Sequence, residues 1–537
     1  MFDNFWFMNN FKNNHEDNNF HNHIHCCCGC IHPEGTQEGL NRREFLTTTG
    51  IVLGGLALSS AVLNSADTET ITVKPIRKPL KVQPVLTYDT PQRRDATSWR
   101  NWGGIQTEQH ANEEVKRITD ELEKLAKGAD FPLQFNPVIK VKNVNQTEEA
   151  VKADFDVMLI YAAGAWVNTL EKLASAKPWN LMFLRHRSGP VYLWYEIAHN
   201  RFLRKTIDQF GQPNFTPTDI VVDDYKELEW RLRAYAGLKN TIGKRIVAVG
   251  GASGWGAGGA KAPKIAQEFW KMEIVNVPYP DLGERIKKAR QNTALVENCK
   301  KLAESYLKER GVSLVTKREF VHNAFVLTEV FKQLLTEAQT DAITINQCMG
   351  TIMSMSQTTA CLPLSLLNDS GLLAFCESDF VVIPSGILLH YISGLPVFLN
   401  DPTYPHNGIV TLAHCTAPRK MDGKRAEPVK ILTHFESDYG AAPKVEMKVG
   451  QTITNLIPDF DNKVWSGFLG TIDANPFLDI CRSQIDVKVH ADCDRLNQET
   501  KGFHWMVAYG NWMRECEYAL KKAGVDFNNL SKDVKLA

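Results

Sequence analysis

Three side chains between Gly371 and Pro418 have the types and setting of ligands for one divalent metal: Glu377, Asp401 and His414. Each follows or ends an apolar run. Cys376-Glu377 follows Leu372-Leu373-Ala374-Phe375, Asn400-Asp401 follows Val397-Phe398-Leu399, and His414 follows Ile409-Val410-Thr411-Leu412-Ala413. Runs of this length bounded by Gly, Pro and Asn are expected to be buried strands. Acids at strand ends beside loops are where an α/β fold keeps its chemistry. Oxygen ligands with imidazole suit Mn²⁺ or a similar cation. Cys376 and Cys415, next to the ligands, are expected to face away and pack as buried thiols.

The elements around these residues read as three units. Residues 101–242 form a first α/β unit: a helix across Glu113 to Lys127, then strand, helix and strand through Asp156–Tyr161, Val167–Ala176 and Leu181–Leu184. That succession implies a parallel sheet. Residues 243–376 form a second α/β unit, opening on the strand Lys244 to Val249 and containing a helix across Phe320 to Leu335. Residues 377–537 read as mainly β, with strands near 429–434, 444–449, 452–456 and 485–489. His504 sits there at a loop-to-strand junction shortly before a helix over residues 511–522. The fold expected is therefore α/β, with two doubly wound parallel-sheet (Rossmann-like) units before a mainly β C-terminal domain.

Two other segments have the composition of binding loops. Gly250-Gly251-Ala252-Ser253-Gly254-Trp255-Gly256 follows a strand and invites a dinucleotide reading, but the glycines do not reproduce G-x-G-x-x-G and no acidic residue closes the next strand. A tight turn is the alternative. Arg185-His186-Arg187-Ser188 ends a strand, and its cations are candidates for substrate oxygens, with a solvated loop as the alternative.

The N-terminal end reads differently. Residues 1–66 are expected to be a disordered leader and export signal, and 67–100 a Pro- and Thr-rich linker. The leader holds His21, His23, His25, Cys26, Cys27, Cys28, Cys30 and His32, a compositional metal-binding tract without zinc-finger spacing. Arg42-Arg43-Glu44-Phe45-Leu46, then a Gly-rich apolar run and small residues near Ala61–Ala66, resembles a twin-arginine export signal. That route carries folded proteins, so a metal can be loaded before export to the periplasm or cell envelope. The expectation is no stable membrane anchor after cleavage, and cytoplasmic residence if the signal is not used. Of the twelve cysteines, the eight outside the leader are scattered through apolar context and read as free thiols. Lys+Arg and Asp+Glu are both 61, so bulk charge gives no footprint for nucleic acid.

Three segments, LNDSGLLAFCESDF, LPVFLNDPTYPHNGIVTLAHCTAP and GFHWMVAYGNWMRECEYALKKAGVDF, carry a resemblance to the L-fucose isomerase and L-arabinose isomerase superfamily, nearer to its fucose-isomerase-like members. The resemblance implies a metal-dependent aldose–ketose isomerase acting on an open-chain sugar of the L-fucose or L-arabinose kind by enediolate proton transfer. It implies that Glu377 and Asp401 bind the metal and move the protons, that His504 is the C-terminal histidine ligand, and that His414 is the extra histidine of the arabinose-type site. It further implies a homo-oligomer, trimer or hexamer, in which residues 185–188 act on a neighbour's substrate. Export is unusual for a sugar isomerase, so two alternatives accompany it: a metal-dependent sugar epimerase or dehydratase, and an exported sugar-binding protein without activity.

Overall fold

The computed structural model describes residues 70–204, 211–212 and 214–531. The leader and the twin-arginine segment lie outside the described residues. Among the described residues, no helix is long and apolar enough to cross a membrane. The architecture is mixed α/β: two parallel-sheet units followed by an antiparallel barrel.

The first sheet runs in the order Leu133–Phe135, Leu80–Thr87, Val157–Ala162, Trp179–Leu184, Ile220–Val222, with Ile139–Val141 also on Leu80–Thr87, and every pairing is parallel. The segment 67–100, expected as a linker, therefore contains a central strand of this sheet. Lys81, Gln83 and Pro84 hide it, because proline and polar residues normally mark edge strands or loops. Here Lys81 pairs with Asp154, and the Gln83 amide donates to the Pro137 carbonyl at 3.0 Å. The residues leading in are also tied down. Backbone N–H groups of Ile71, Ile76 and Lys78 donate to the side chains of Glu329, Asp341 and Asn240.

Arg185 corrects a second expectation. It is wholly buried, and its guanidinium is held by Glu114, Glu121 and the Tyr192 hydroxyl. Burying a guanidinium is tolerable only with such pairing, so this cation is committed inside its own unit rather than to a substrate. The Ser188 hydroxyl and the backbone N–H groups of His186, Arg187 and Ser188 all donate to the Asp223 carboxylate, and these donors hold it down to about 2 against the opposing effect of burial.

The second sheet has the order Leu373–Cys376, Ala342–Ile345, Arg245–Val249, Glu273–Val277, all parallel. Ile246 and Ala248 face one core, while Val247 and Val249 face another. Such a sheet is covered on both faces, which explains why its strands are continuously apolar. Chain order reverses between Arg245–Val249 and Ala342–Ile345, and the crevice at such a reversal, beyond the strands' carboxyl ends, is where open α/β sheets bind ligands.

The C-terminal strands pair in the order Thr452–Ile457, Trp505–Tyr509, Phe398–Pro402, Ile409–His414, Ser483–Val489, Val464–Ala474, Asp526–Asn529. Thr452–Ile457 also pairs with Val464–Ala474, so all but the last strand close into an antiparallel barrel. Phe398, Leu412, Ile453, Phe468, Ile485 and Trp505 belong to its buried core. Closure removes the exposed edges an open sheet would leave. The wholly buried helix Ile383–Ser393 packs against the helix Tyr225–Thr241 of the first unit. The fit is close: a Cβ on Gly237 would lie 2.5 Å from Ile392 Cγ1.

Candidate metal centre

Strand register assembles the ligands. Phe398, Leu399 and Asn400 pair antiparallel with Val507, Met506 and Trp505. One step further sets Asp401 opposite His504. On its other side Asp401 pairs with Ala413, the neighbour of His414. The barrel thus brings Asp401, His414 and His504 together, and one donor atom from each lies within 4.8 Å of the others.

Glu377 arrives from the second unit, directly after Leu373–Cys376. Its φ is +63° and that of Ser378 is +48°. Two successive non-glycine residues in the left-handed region cost about 1–3 kcal/mol each, and such strain collects where a side chain must be aimed. Local bonds hold the turn: Ser378 N donates to Thr344 Oγ1 at 3.1 Å, and Ser253 N to the Ser378 carbonyl at 3.1 Å. Glu377 Oε1 stands 3.6 Å from His414 Nε2, and Glu377 Oε2 stands 3.3 Å from His504 Nε2. Asp401 Oδ1 is 3.2 Å from His504 Nε2. All four residues expected from the sequence are therefore brought together, Glu377 and Asp401 each beside His504 Nε2 and Glu377 also beside His414 Nε2.

Both histidines are aimed by an outer partner. His504 Nδ1 is 2.7 Å from Asp379 Oδ2, and His414 Nδ1 is 3.2 Å from Thr416 Oγ1. With Nδ1 bonded outward, Nε2 is left to face the centre, the arrangement that orients metal-binding imidazoles. Asp379, which sequence reasoning missed, is itself anchored: its Oδ1 accepts from Val381 N at 3.0 Å and Trp255 N at 3.3 Å. Ser253 pairs with Asp379 in a parallel bridge, and Trp255 stacks on Phe503 at 3.8 Å. The Gly-rich turn is thus a brace for the Glu377–Asp379 segment. A Cβ on Gly254 would overlap the Gly259 carbonyl, so the turn needs glycine for tightness.

The electrostatics follow from burial. Burial raises the Glu377 carboxyl, but His504 and His414 outweigh it and hold the group down to about 2. Burial would lower both imidazoles. Glu377, Asp379 and Asp401 instead raise His504 well above its ordinary value, and Glu377 and Asp401 raise His414.

A divalent cation fits these donors. His414 Nε2, His504 Nε2 and both Asp401 carboxylate oxygens are buried with no hydrogen-bond partner. Orphaned buried polar atoms are costly and rare, and here four converge. Donors about 2.1 Å from a hard cation in octahedral geometry lie about 3.0 Å apart when adjacent and about 4.2 Å when opposite, which the observed spacings approach. The exposure is uneven. The Glu377 and Asp401 side chains are 10% and 13% exposed, against 3% for His414 and 0% for His504, but both Asp401 oxygens are themselves buried.

One expectation for the cysteines needs correcting. Cys376, Glu377 and His414 each offer a donor atom within 4.8 Å of the others, so the Cys376 sulfur borders the centre rather than facing away. It also lies 3.8 Å from Cys348 Sγ. No protein-family model matches the chain, and no curated protein matches it either.

Proposed function

We propose that the chain is a metal-dependent aldose–ketose isomerase acting on an open-chain sugar of the L-fucose or L-arabinose kind. The observation that carries this reading is the convergence of unsatisfied imidazole Nε2 atoms and carboxylate oxygens beside Glu377, with outward partners already fixing both histidines. Membership of the fucose and arabinose isomerase superfamily, and a doubly wound, Rossmann-like character for both parallel-sheet units, belong to the same proposal.

Held by Glu377, Asp401, His414 and His504, Mn²⁺ or a similar cation supplies Lewis acidity toward adjacent carbonyl and hydroxyl oxygens of the sugar. Asp379, an acceptor, keeps the His504 Nε2 lone pair inward, and Thr416 orients the His414 ring through its Nδ1. One of Glu377 and Asp401 withdraws the proton at C2 and a carboxyl returns a proton at C1, while the hydroxyl proton on O2 passes to O1. No electrons leave the substrate, so the interconversion balances without an external oxidant.

Twin-arginine export to the periplasm or envelope, supported by Arg42-Arg43 and the run that follows, is part of the proposal. So is a trimer or hexamer, supported by the resemblance and by the exposed Trp102 and Trp166 of the first unit.

The test is incubation of the Mn²⁺-supplemented protein with L-fucose, L-arabinose and D-arabinose in heavy water. The expected result is the ketose, with deuterium at C2 of recovered aldose. An epimer or a dehydrated product would move the protein to the epimerase or dehydratase reading. Sugar binding without exchange, undiminished by chelator, would identify a binding protein.

A further inference from the structure

A second group of ligand-type side chains lies behind the first. Alternation along a strand sends neighbours to opposite sides. His414 points to the centre described above, whereas Ala413 and Cys415 belong to a small separate core with Cys361, Ala442 and Cys481. His434 completes the group. One donor atom from each of Cys361, Cys415 and His434 lies within 4.8 Å of the others. Cys481 packs in the same core beside them. Cys361, Cys415 and His434 are each 2% exposed and Cys481 7%, and His434 Nδ1 is buried without a hydrogen-bond partner. None of the three cysteines is joined in a disulfide.

We propose that Cys361, Cys415, Cys481 and His434 form a second metal site, which takes one Zn²⁺ and pins the barrel to the second unit behind His414. Three sulfurs and one imidazole are a complete tetrahedral set, with no position left for substrate, as in structural zinc sites. Thiolates also select a softer cation than the carboxylate-rich centre does. At about 2.3 Å from zinc, tetrahedral sulfurs stand about 3.8 Å apart, so Cys361, Cys415 and His434, with donor atoms within 4.8 Å of one another, form three corners of the site, and Cys481 closes the fourth by moving toward them. The four ligands come from four segments. Cys361 opens the helix Cys361–Asp369, Cys415 follows Ile409–His414, His434 follows Val429–Leu432, and Cys481 precedes Ser483–Val489. Fixing Cys415 fixes the backbone beside His414, so the zinc holds one ligand of the catalytic centre in place without touching substrate.

The leader also contains thiols, so the test uses the full-length chain with Cys26, Cys27, Cys28 and Cys30 changed to Ser. After removal of weakly held metal, the expected result is one zinc retained per chain. Replacement by Co²⁺ gives an intense sulfur-to-cobalt absorption in the near ultraviolet. Cys361→Ser and Cys481→Ser abolish that absorption, and Asp401→Asn preserves it. If the cysteine variants fail to fold, zinc-edge X-ray absorption on the chain with its core cysteines intact decides: sulfur neighbours at about 2.3 Å support the site. Zinc with only oxygen and nitrogen neighbours overturns it. So does a folded chain that retains no zinc and shows no cobalt–sulfur absorption, or a band that survives Cys361→Ser.

Discussion

Glu377→Gln, assayed with Mn²⁺ at saturation, will lower exchange of the sugar C2 proton into heavy water by on the order of 10²–10⁴-fold, and Asp401→Asn will do the same. Both substitutions keep side-chain volume and remove only the charge and the proton-accepting oxygen. A glutamine can keep the left-handed backbone at this position as Glu377 does, so the turn made by Glu377 and Ser378 survives. The amide nitrogen, however, would present a donor where His414 and His504 now meet an acceptor at 3.6 and 3.3 Å. Metal binding weakens as well, which is why exchange must be read at full occupancy. A variant that regains its metal but not exchange identifies the carboxylate as a proton carrier. Wild-type exchange in either variant would remove Glu377 or Asp401 from the chemistry.

Asp379→Asn will weaken Mn²⁺ binding by about 10–100-fold while leaving the chain folded. Asn keeps a carbonyl oxygen that can accept from Val381 N and Trp255 N as Oδ1 does now. What changes is the other atom, which stands 2.7 Å from His504 Nδ1. An amide there donates, so Nδ1 must become the acceptor and the proton moves to Nε2. A protonated Nε2 offers no lone pair to a cation. The wrong tautomer, and not a missing ligand, is therefore the cause of the loss. Titration calorimetry with Mn²⁺ gives the ratio. Equal affinity in the variant would reduce Asp379 to a packing residue.

Asp379 also marks where the sequence falls silent. Glu377, Asp401 and His414 stand out because each ends an apolar run, and that pattern reports burial and strand ends directly. His504 stands out through its place before a strand and a helix. Asp379 carries no such signal. It matters only because Glu377 and Ser378 turn through the left-handed region and send it back under His504, a backbone fact that no spacing encodes. The Gly-rich turn at 250–256 was legible as tight, but its partner segment was not, because the two are joined by nonlocal bonds from Ser253 and Trp255. The strand Leu80–Thr87 was hidden by Lys81, Gln83 and Pro84; the Lys81 and Gln83 side chains find partners in Asp154 and Pro137, distant in sequence. Barrel closure was hidden likewise: Thr452–Ile457 looks the same from its own residues whether it has one partner or two. The thiol cluster escaped because its ligands lack the close Cys pairs that announce a zinc site.

The most direct test of the central claim is electron spin echo spectroscopy of the protein loaded with one equivalent of Mn²⁺. The account predicts modulation from two imidazole nitrogens, with one lost in His504→Gln and the other in His414→Gln. Mn²⁺ that binds without nitrogen modulation, or that keeps both nitrogens in the His504→Gln variant, would contradict it.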